Sequence, residues 1–299
     1  MACSPVAVLA QQRVAFWNVE NYFDTDNDSL TADDEFTPDG THRWTWSRFV
    51  KKRDNIARTI IAMGAPCVVG MAEVENDKVL EELTKGSPLR KLNYRYVHYE
   101  SPDPRGIDCA LIYIADSACL IESRPISTID TNLGNATRDI LLVGLRMYSG
   151  DTLYIFVNHW PSKLGGRFAT SHRHLLARQL WQQMDSVGNA HPNAIVMAMG
   201  DFNATFNEIA SMQTSHTPIS LMDSSVRGSY CYHGYWQCID LMITLNTQLK
   251  LQTYVFDADF LLTSDGKYMQ DKPYRTYLGP RYIGGISDHL PIYCDTSKR

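Results

Sequence analysis

Short apolar runs recur along this chain, and most are bounded by an acid, an amide or a histidine. The stretch "AMGDFNAT" (197–204) leads small apolar residues into Asp201, an aromatic and Asn203. Read as a buried strand, it points side chains two apart the same way, so Asp201 and Asn203 are expected to project together from its carboxyl end. The runs "VAFW" (14–17) and "PCVVGMAEVEN" (66–76) read as strands of the same kind. So do "RGIDCALIYI", "RDILLVGLRM", "TLYIFVNHW", "NAIVMAMGDFN", "CIDLMITL" and the closing "LPIY".

Between the first two runs, residues 46–63 carry Phe49, Ile56, Ile60 and Met63 at near-helical spacing, which makes a β-α-β beginning. A second helix is expected over roughly 170–187, with Leu175, Leu176, Leu180 and Met184 as a core stripe rather than a cofactor box. Residues 263–287, rich in Gly, Tyr, Asp and Lys, read as a long surface loop of the kind that often carries function. Strands in succession mixed with helices imply two packed sheets with helices outside, an α/β sandwich. The 299 residues show no linker or repeat, so one domain is expected over 13–299.

Composition excludes several classes. A formal charge of −5 and a pI near 6.0 argue against coating nucleic acid through bulk electrostatics, while leaving room for a local basic groove. No apolar run approaches a membrane span. The start "MACSPVAVLAQQ" (1–12) places Val8 and Ala10 where small residues precede a signal-peptidase cut, but it lacks a basic leader and most of an apolar core. It reads as the remnant of an export signal or as a disordered N-terminus. Seven cysteines make neither a disulfide framework nor a zinc spacing. Cys231 and Cys238 either face each other across a hairpin turning near His233-Gly234 or are two ordinary half-buried thiols.

The polar residues beside the apolar runs are Asn18 and Glu20, Glu73 and Glu75, Asp108, Asn158 and His159, Asp201 and Asn203, Asp240, and Asp288 and His289. Taken singly, each has a plain reading as a cap or strand stop. Glu75 is left as a solvated carboxylate and Asn158 as a turn former. The recurrence is what carries weight. Oxygen ligands without paired cysteines favour a hard cation such as magnesium or manganese over zinc. Carboxylates and amides beside two histidines suit phosphoryl chemistry, in which a metal neutralises developing charge and His or Asp handles protons. A Walker loop, GxSxG and HExxH are all missing, so a nucleotide-driven motor, a serine hydrolase and a zinc peptidase lack their minimum parts.

With those residues in hand, the chain resembles the endonuclease/exonuclease/phosphatase superfamily, the group of pancreatic-type deoxyribonuclease and the abasic-site repair endonucleases. The signatures "FWNVEN", "GMAEVEN", "GIDCALIY", "VNHWPSK", "GDFNAT", "CIDLMI" and "SDHLPIY" stand in family order. "NVENYFD" and "VNHWPSK" look most like an exported bacterial branch, which implies a periplasmic or secreted protein. The resemblance implies a four-layer α/β sandwich of two mixed sheets flanked by helices. It also implies a metal site of Asn18, Glu73 and Asp288, with Glu20 as a second metal-side carboxylate, for magnesium or else manganese or calcium. By the same resemblance Asp201 positions or deprotonates the attacking water, Asn203 binds a phosphate oxygen, and His289 stands beside the scissile phosphate with Asp240 fixing its tautomer. His159 is implied as a second active-site histidine with Asp108 as its acidic partner.

Lys163 and Arg167 are expected to place positive charge at the cleft rim or to lie in a solvated loop. Trp44, Trp46 and His42, beside Arg48, Lys51, Lys52 and Arg53, read either as a base-stacking platform or as an ordinary solvated helix face. The expected function is a metal-dependent phosphodiesterase, first of all an endonuclease on DNA or RNA, acting as a monomer without a protein partner. A phosphatase or phospholipase C-like enzyme on small phosphoesters is the second reading, since the same catalytic set serves both. A degenerate binding module is the third.

Overall fold

Residues 12–128, 137–163, 166–210, 219–221, 227–245 and 251–296 are described by the computed structural model of this chain. The apolar runs are strands, and they are apolar throughout because both faces are covered. In chain order they are β1 (Arg13–Tyr22), β2 (Val68–Val74), β3 (Tyr94–His98), β4 (Asp108–Ile114), β5 (Ala118–Ile126), β6 (Ile140–Met147), β7 (Thr152–His159) and β8 (Ile195–Asp201). They continue as β9 (Ile219–Ser220), β10 (Tyr230–Tyr232), β11 (Tyr235–Gln237), β12 (Asp240–Thr244), β13 (Thr253–Val255), β14 (Leu262–Asp265), β15 (Gln270–Pro273), β16 (Tyr277–Leu278), β17 (Arg281–Tyr282) and β18 (Ile292–Asp295). The α-helices are α1 (Trp46–Ala62), α2 (Asp77–Glu81), α3 (Gly166–Ala190) and α4 (Phe206–Ala210).

Two six-stranded mixed sheets form the body, ordered β13-β18-β1-β2-β4-β3 and β5-β6-β7-β8-β12-β9. Along β1, Val14 and Phe16 pack into the inter-sheet core, while Ala15, Trp17 and Val19 pack outward against Phe49, Ile56 and Ile60 of α1. The second sheet sends Val143, Ile155 and Met199 inward, and Leu142, Phe156 and Ala198 outward onto Leu176, Leu180 and Met184 of α3. The layers therefore run helix, sheet, sheet, helix, as expected from the runs and the resemblance. Leu175 of the expected stripe is only half-buried, and Trp181 takes its place in the core.

The parallel pairs β1–β2 and β7–β8 are joined through α1 and α3, as parallel neighbours require a crossover. Register at β8 sets polar residues of three strands side by side. His159 of β7 lies opposite Asp201, Asn158 opposite Gly200, and Asp240 of antiparallel β12 also opposite Asp201. A Cβ on Gly200 would lie 2.3 Å from the Asn158 carbonyl oxygen, so only glycine lets the strands close here. Gly200→Ala is expected to cost roughly 1–3 kcal/mol, the usual range for overpacking. Urea denaturation would show it, and an unshifted midpoint would refute the tight approach.

The region 263–287 is not an irregular loop. It folds into the hairpins β14–β15 and β16–β17, whose strands are too short and polar to show a run in the sequence. The β10–β11 hairpin turns at His233 and Gly234, both with positive φ, as expected. Cys231 pairs across it with Trp236, not Cys238, which falls beyond the strand, and no disulfide joins the two cysteines. Asn158 is a fully buried strand residue, not a turn former, and its amide bonds Trp160 and the backbone of Phe156 and Met199.

Candidate active site

The carboxyl ends of β1, β2, β7 and β8 and the start of β12 meet around one oxygen, Asp201 Oδ2. It lies 3.1 Å from Asn18 Nδ2, 3.7 Å from His289 Nε2 and 3.8 Å from His159 Nε2. The other oxygen, Oδ1, accepts the Asn203 backbone N–H at 3.0 Å. Burial pushes the Asp201 carboxyl up, to about 7, against the pull of the nearby His289 charge.

His289 Nδ1 is 2.7 Å from Asp240 Oδ2, which also accepts the Ser229 hydroxyl. Burial favours neutral imidazole, but the Asp240 and Asp201 charges outweigh it and raise His289 well above its ordinary value. That balance favours the imidazolium, which would donate Nδ1–H to Asp240 and direct Nε2–H towards Asp201. The Tyr230 ring lies 4.7 Å from the His289 ring and restricts its rotation. His159 differs in charge. Burial first, then the charges of Arg138, Arg105 and His289, lowers it well below its ordinary value, so it is neutral.

The backbone is strained at these residues. Glu20, Asn21, Glu73 and Asn203 have φ of 54°, 50°, 61° and 47°, a region that side-chain-bearing residues seldom adopt. Pairing of β1 with β2 slips between Asn18 and Tyr22, and pairing of β2 with β4 slips between Ala72 and Val74. Such bulges re-aim side chains, here turning Glu73 towards Asn18.

The acidic side carries Glu73, Asp288 and Glu20. Glu73 Oε1 lies 3.3 Å from Asn18 Nδ2 and 3.7 Å from His159 Nε2, and Oε2 accepts the Asn21 N–H at 2.8 Å. Asp288 Oδ2 is 3.2 Å from Arg275 Nη2. Glu20 is buried, with its oxygens on Arg275 Nε and Thr276 N at 3.2 and 2.6 Å. Burial and the Asp288 charge raise Glu20 to about 7. Its contacts make it a holder of Arg275. The donor set of Asn18, Glu73 and Asp288 offers an amide oxygen and two carboxylates at one end of the cavity, hard oxygen that fits a divalent ion. Among the described residues, Asp201, Asp240 and His289 form one of two clusters whose ligand atoms come within 4.8 Å.

Asp108 does not pair with His159. It starts β4, where it accepts bonds from Ser101 and faces His98 Nε2 at 3.1 Å, because antiparallel β3 sets His98 alongside. His98 Nδ1 faces Asp77 Oδ1 at 3.0 Å, so both ring nitrogens meet carboxylates. Burial lowers the His98 pKa, but the Asp108 hydrogen bond and charge raise it more, for a net rise. The stabilisation is therefore complete below the unfolded value near about 6.5 and is lost as pH rises through the folded value. Melting curves should show the wild type losing stability on that alkaline side and His98→Ala losing less; identical pH dependence would contradict this.

Positive charge at the site comes from residues that the motifs did not single out. Lys163 pairs with Glu208 at 3.6 Å and Arg167 is exposed on α3, and neither lines the cavity. Arg105, Arg138 and Arg275 do, around a space of about 530 Å³ that also holds His159, Asp201, Asn203 and His289. Arg138 is anchored by Asp103 and the Trp160 carbonyl at 2.8 and 2.9 Å. Arg138 stands just before the run that becomes β6, and that position was its one signal in the sequence.

Of the expected stacking platform, Trp46 and Lys51 stay exposed, while other members turn inward. Trp44 is buried with its N–H on the Phe23 carbonyl, His42 is stacked on Phe36, and Arg53 pairs with Asp54 and Glu82. Lys52 is buried, donating to the carbonyls of Glu20 and Ile286 and to Thr276 Oγ1, and burial lowers it to about 8. It lies three residues after Phe49 and four before Ile56, on the apolar stripe, which is why it points inward. Glu75 is likewise not solvated: it is buried on the Asp24 N–H and raised to about 8 by burial.

Comparison with known proteins speaks to the fold and the family. No curated protein matches. Among solved structures, truncated Caenorhabditis elegans TDP2 superposes with a TM-score of 0.63 at 14% identity, covering 96% of this chain and 97% of that one. The human nocturnin catalytic domain gives 0.59 at 17% identity over 96% and 94% of the two chains. A Bacteroides thetaiotaomicron mannosyl-6-phosphatase gives 0.58 at 13% identity over 96% and 99%. At such identities these likenesses speak for the fold. The sequence profile described as the "Endonuclease/Exonuclease/phosphatase family" matches residues 13–298, and the chain belongs to that family of phosphoric ester hydrolases.

Proposed function

We propose that this enzyme is a divalent-metal-dependent phosphodiesterase, acting first of all as an endonuclease on DNA or RNA. The observation that carries the reading is the geometry at one point: the buried Asp201 carboxyl lies 3.7 Å from His289 Nε2, and His289 Nδ1 is held 2.7 Å from Asp240. Phosphodiester hydrolysis needs a base for water, a proton or positive charge for the leaving oxygen, and donors for the non-bridging oxygens.

Asp201, ionised, takes the proton of the attacking water at Oδ2, oriented by Asn18 and Asn203. His289 presents Nε2–H to the phosphoryl or leaving oxygen while Asp240 holds its other proton. Neutral His159 adds a hydrogen bond rather than charge, and Arg105 and Arg138 face the phosphate oxygens with the Asn203 amide. Glu73, Asp288 and Asn18 would hold the ion, expected to be magnesium, with manganese or calcium as substitutes. When bound, it neutralises charge that develops on the phosphoryl oxygens.

A zebrafish TDP2 structure of the same fold holds a single-strand DNA product, which supports nucleic acid as substrate. The small-phosphoester reading has its own support in the cavity of about 530 Å³ and the formal charge of −5. Salt separates them. Cleavage of a polynucleotide should fall steeply between low and moderate salt through counterion release, whereas a small phosphoester should be nearly indifferent. A panel of DNA, RNA, bis(p-nitrophenyl) phosphate and sugar and inositol phosphates, each with and without chelator, tests the assignment. Undiminished turnover under chelation would end the metal-dependent reading. The motif likeness to exported bacterial members extends the proposal to a periplasmic or secreted location, which cell fractionation checks.

A further inference from the structure

A second cavity, of about 450 Å³, adjoins the first and shares Tyr230, Arg275 and Asp288 with it. Its walls are two hairpins, β10–β11 and β14–β15, fastened tip to tip. Gln270 Nε2 donates to the Gly234 carbonyl at 2.7 Å, and a Cβ on Gly234 would strike the Tyr268 ring at 2.7 Å. The space is therefore built in advance of any ligand, and its size falls within the range of about 300–1,000 Å³ for small-molecule sites.

Its chemistry is aromatic. The Tyr232 and His233 rings stack at 4.1 Å and 11°, Tyr232 is 48% exposed, and Tyr268 stands on the opposite hairpin. The charged groups in the walls neutralise one another. Asp265 Oδ2 is 2.9 Å from Lys272, Asp265 Oδ1 accepts the Lys267 N–H, and the Lys267 ammonium lies over the Tyr268 ring. A sugar site would keep such groups free for hydroxyls, whereas ring faces with spent polar groups favour a flat heteroaromatic guest.

We propose that this cavity is a subsite for one nucleobase of the substrate, stacked on the exposed Tyr232 ring beside His233 and bounded by Tyr268, with the attached phosphate across Tyr230 at Asp201 and His289. The assignment rests on the phosphodiesterase reading and sharpens it: the enzyme recognises a nucleotide unit on one side of the scissile bond. It also puts base stacking on the hairpins rather than on α1.

The test compares thymidylyl-thymidine with its two analogues in which one base or the other is replaced by an abasic tetrahydrofuran unit. Loss of the base on one side should lower wild-type kcat/KM roughly tenfold, chiefly through KM, in line with stacking energies. Tyr232→Ala and Tyr268→Ala should bring the intact dinucleotide down to that abasic level and leave the matching abasic analogue unchanged. Tyr232→Phe and Tyr268→Phe should restore the difference. Equal kcat/KM for all three substrates, or alanine variants that slow all of them alike, would overturn the subsite and leave the phosphodiesterase reading standing. No turnover of any phosphodiester, bis(p-nitrophenyl) phosphate included, would remove both.

Discussion

His289→Ala is expected to lower kcat on a phosphodiester by about 10²–10⁴-fold, the usual contribution of a positioned proton donor. The imidazolium is fixed on three sides: Nδ1 on Asp240, the backbone carbonyl on Trp17 Nε1 at 2.9 Å, and the ring face against Tyr230. The loss should fall in kcat more than in KM, because the proton or charge is needed as the leaving oxygen departs. The variant should stay folded, since Asp240 Oδ2 keeps the Ser229 hydroxyl and Asp201 keeps the Asn18 amide and the Asn203 backbone N–H. Circular dichroism checks the fold and steady-state kinetics the rate. A folded variant with wild-type kcat would remove His289 from the chemistry.

Asp201→Asn is the second large effect, again about 10²–10⁴-fold in kcat if the carboxylate is the base. Its signature is in the pH profile. Wild-type activity should rise through about 7 as Asp201 ionises, and fall where His289, held well above its ordinary value, loses its proton. In Asp201→Asn the rising limb should vanish, since the amide has no proton to lose. The two groups act on one substrate molecule 3.7 Å apart, so the double variant should be far less impaired than the product of the single losses. Retention of the rising limb would assign it to another group; multiplicative losses would deny that the pair works as a unit.

Much of the fold could be read in the chain because strands buried on both faces are apolar at every position. The runs at β1, β2, β4, β6, β7, β8 and β12 announced themselves for that reason. β5 is largely exposed and half polar, and β14 to β17 are two to four residues long, so neither hydrophobic period marks them. Of the site, Asp201, Asn203, His289, Asp240, Glu73, Asp288 and Asn18 could be named from what stands at the strand ends. Glu20, expected as a second metal-side carboxylate, lines the same cavity with its oxygens on Arg275 and Thr276.

Charge partners were harder to assign. The resemblance pairs Asp108 with His159, and it serves His98; Lys163 and Arg167 read as rim charge or a solvated loop, and Arg105, Arg138 and Arg275 line the cavity instead. Local order in the chain was enough to set which residues are strands and which polar groups lie at their ends, since period and burial are properties of neighbours. Pairing of ionised groups depends on distances of 3–4 Å between segments as far apart as Glu20 and Arg275, 255 residues along the chain. Electrostatic attraction between such groups is set by where the packed sheets and hairpins place them, and that placement exists only once the chain has folded.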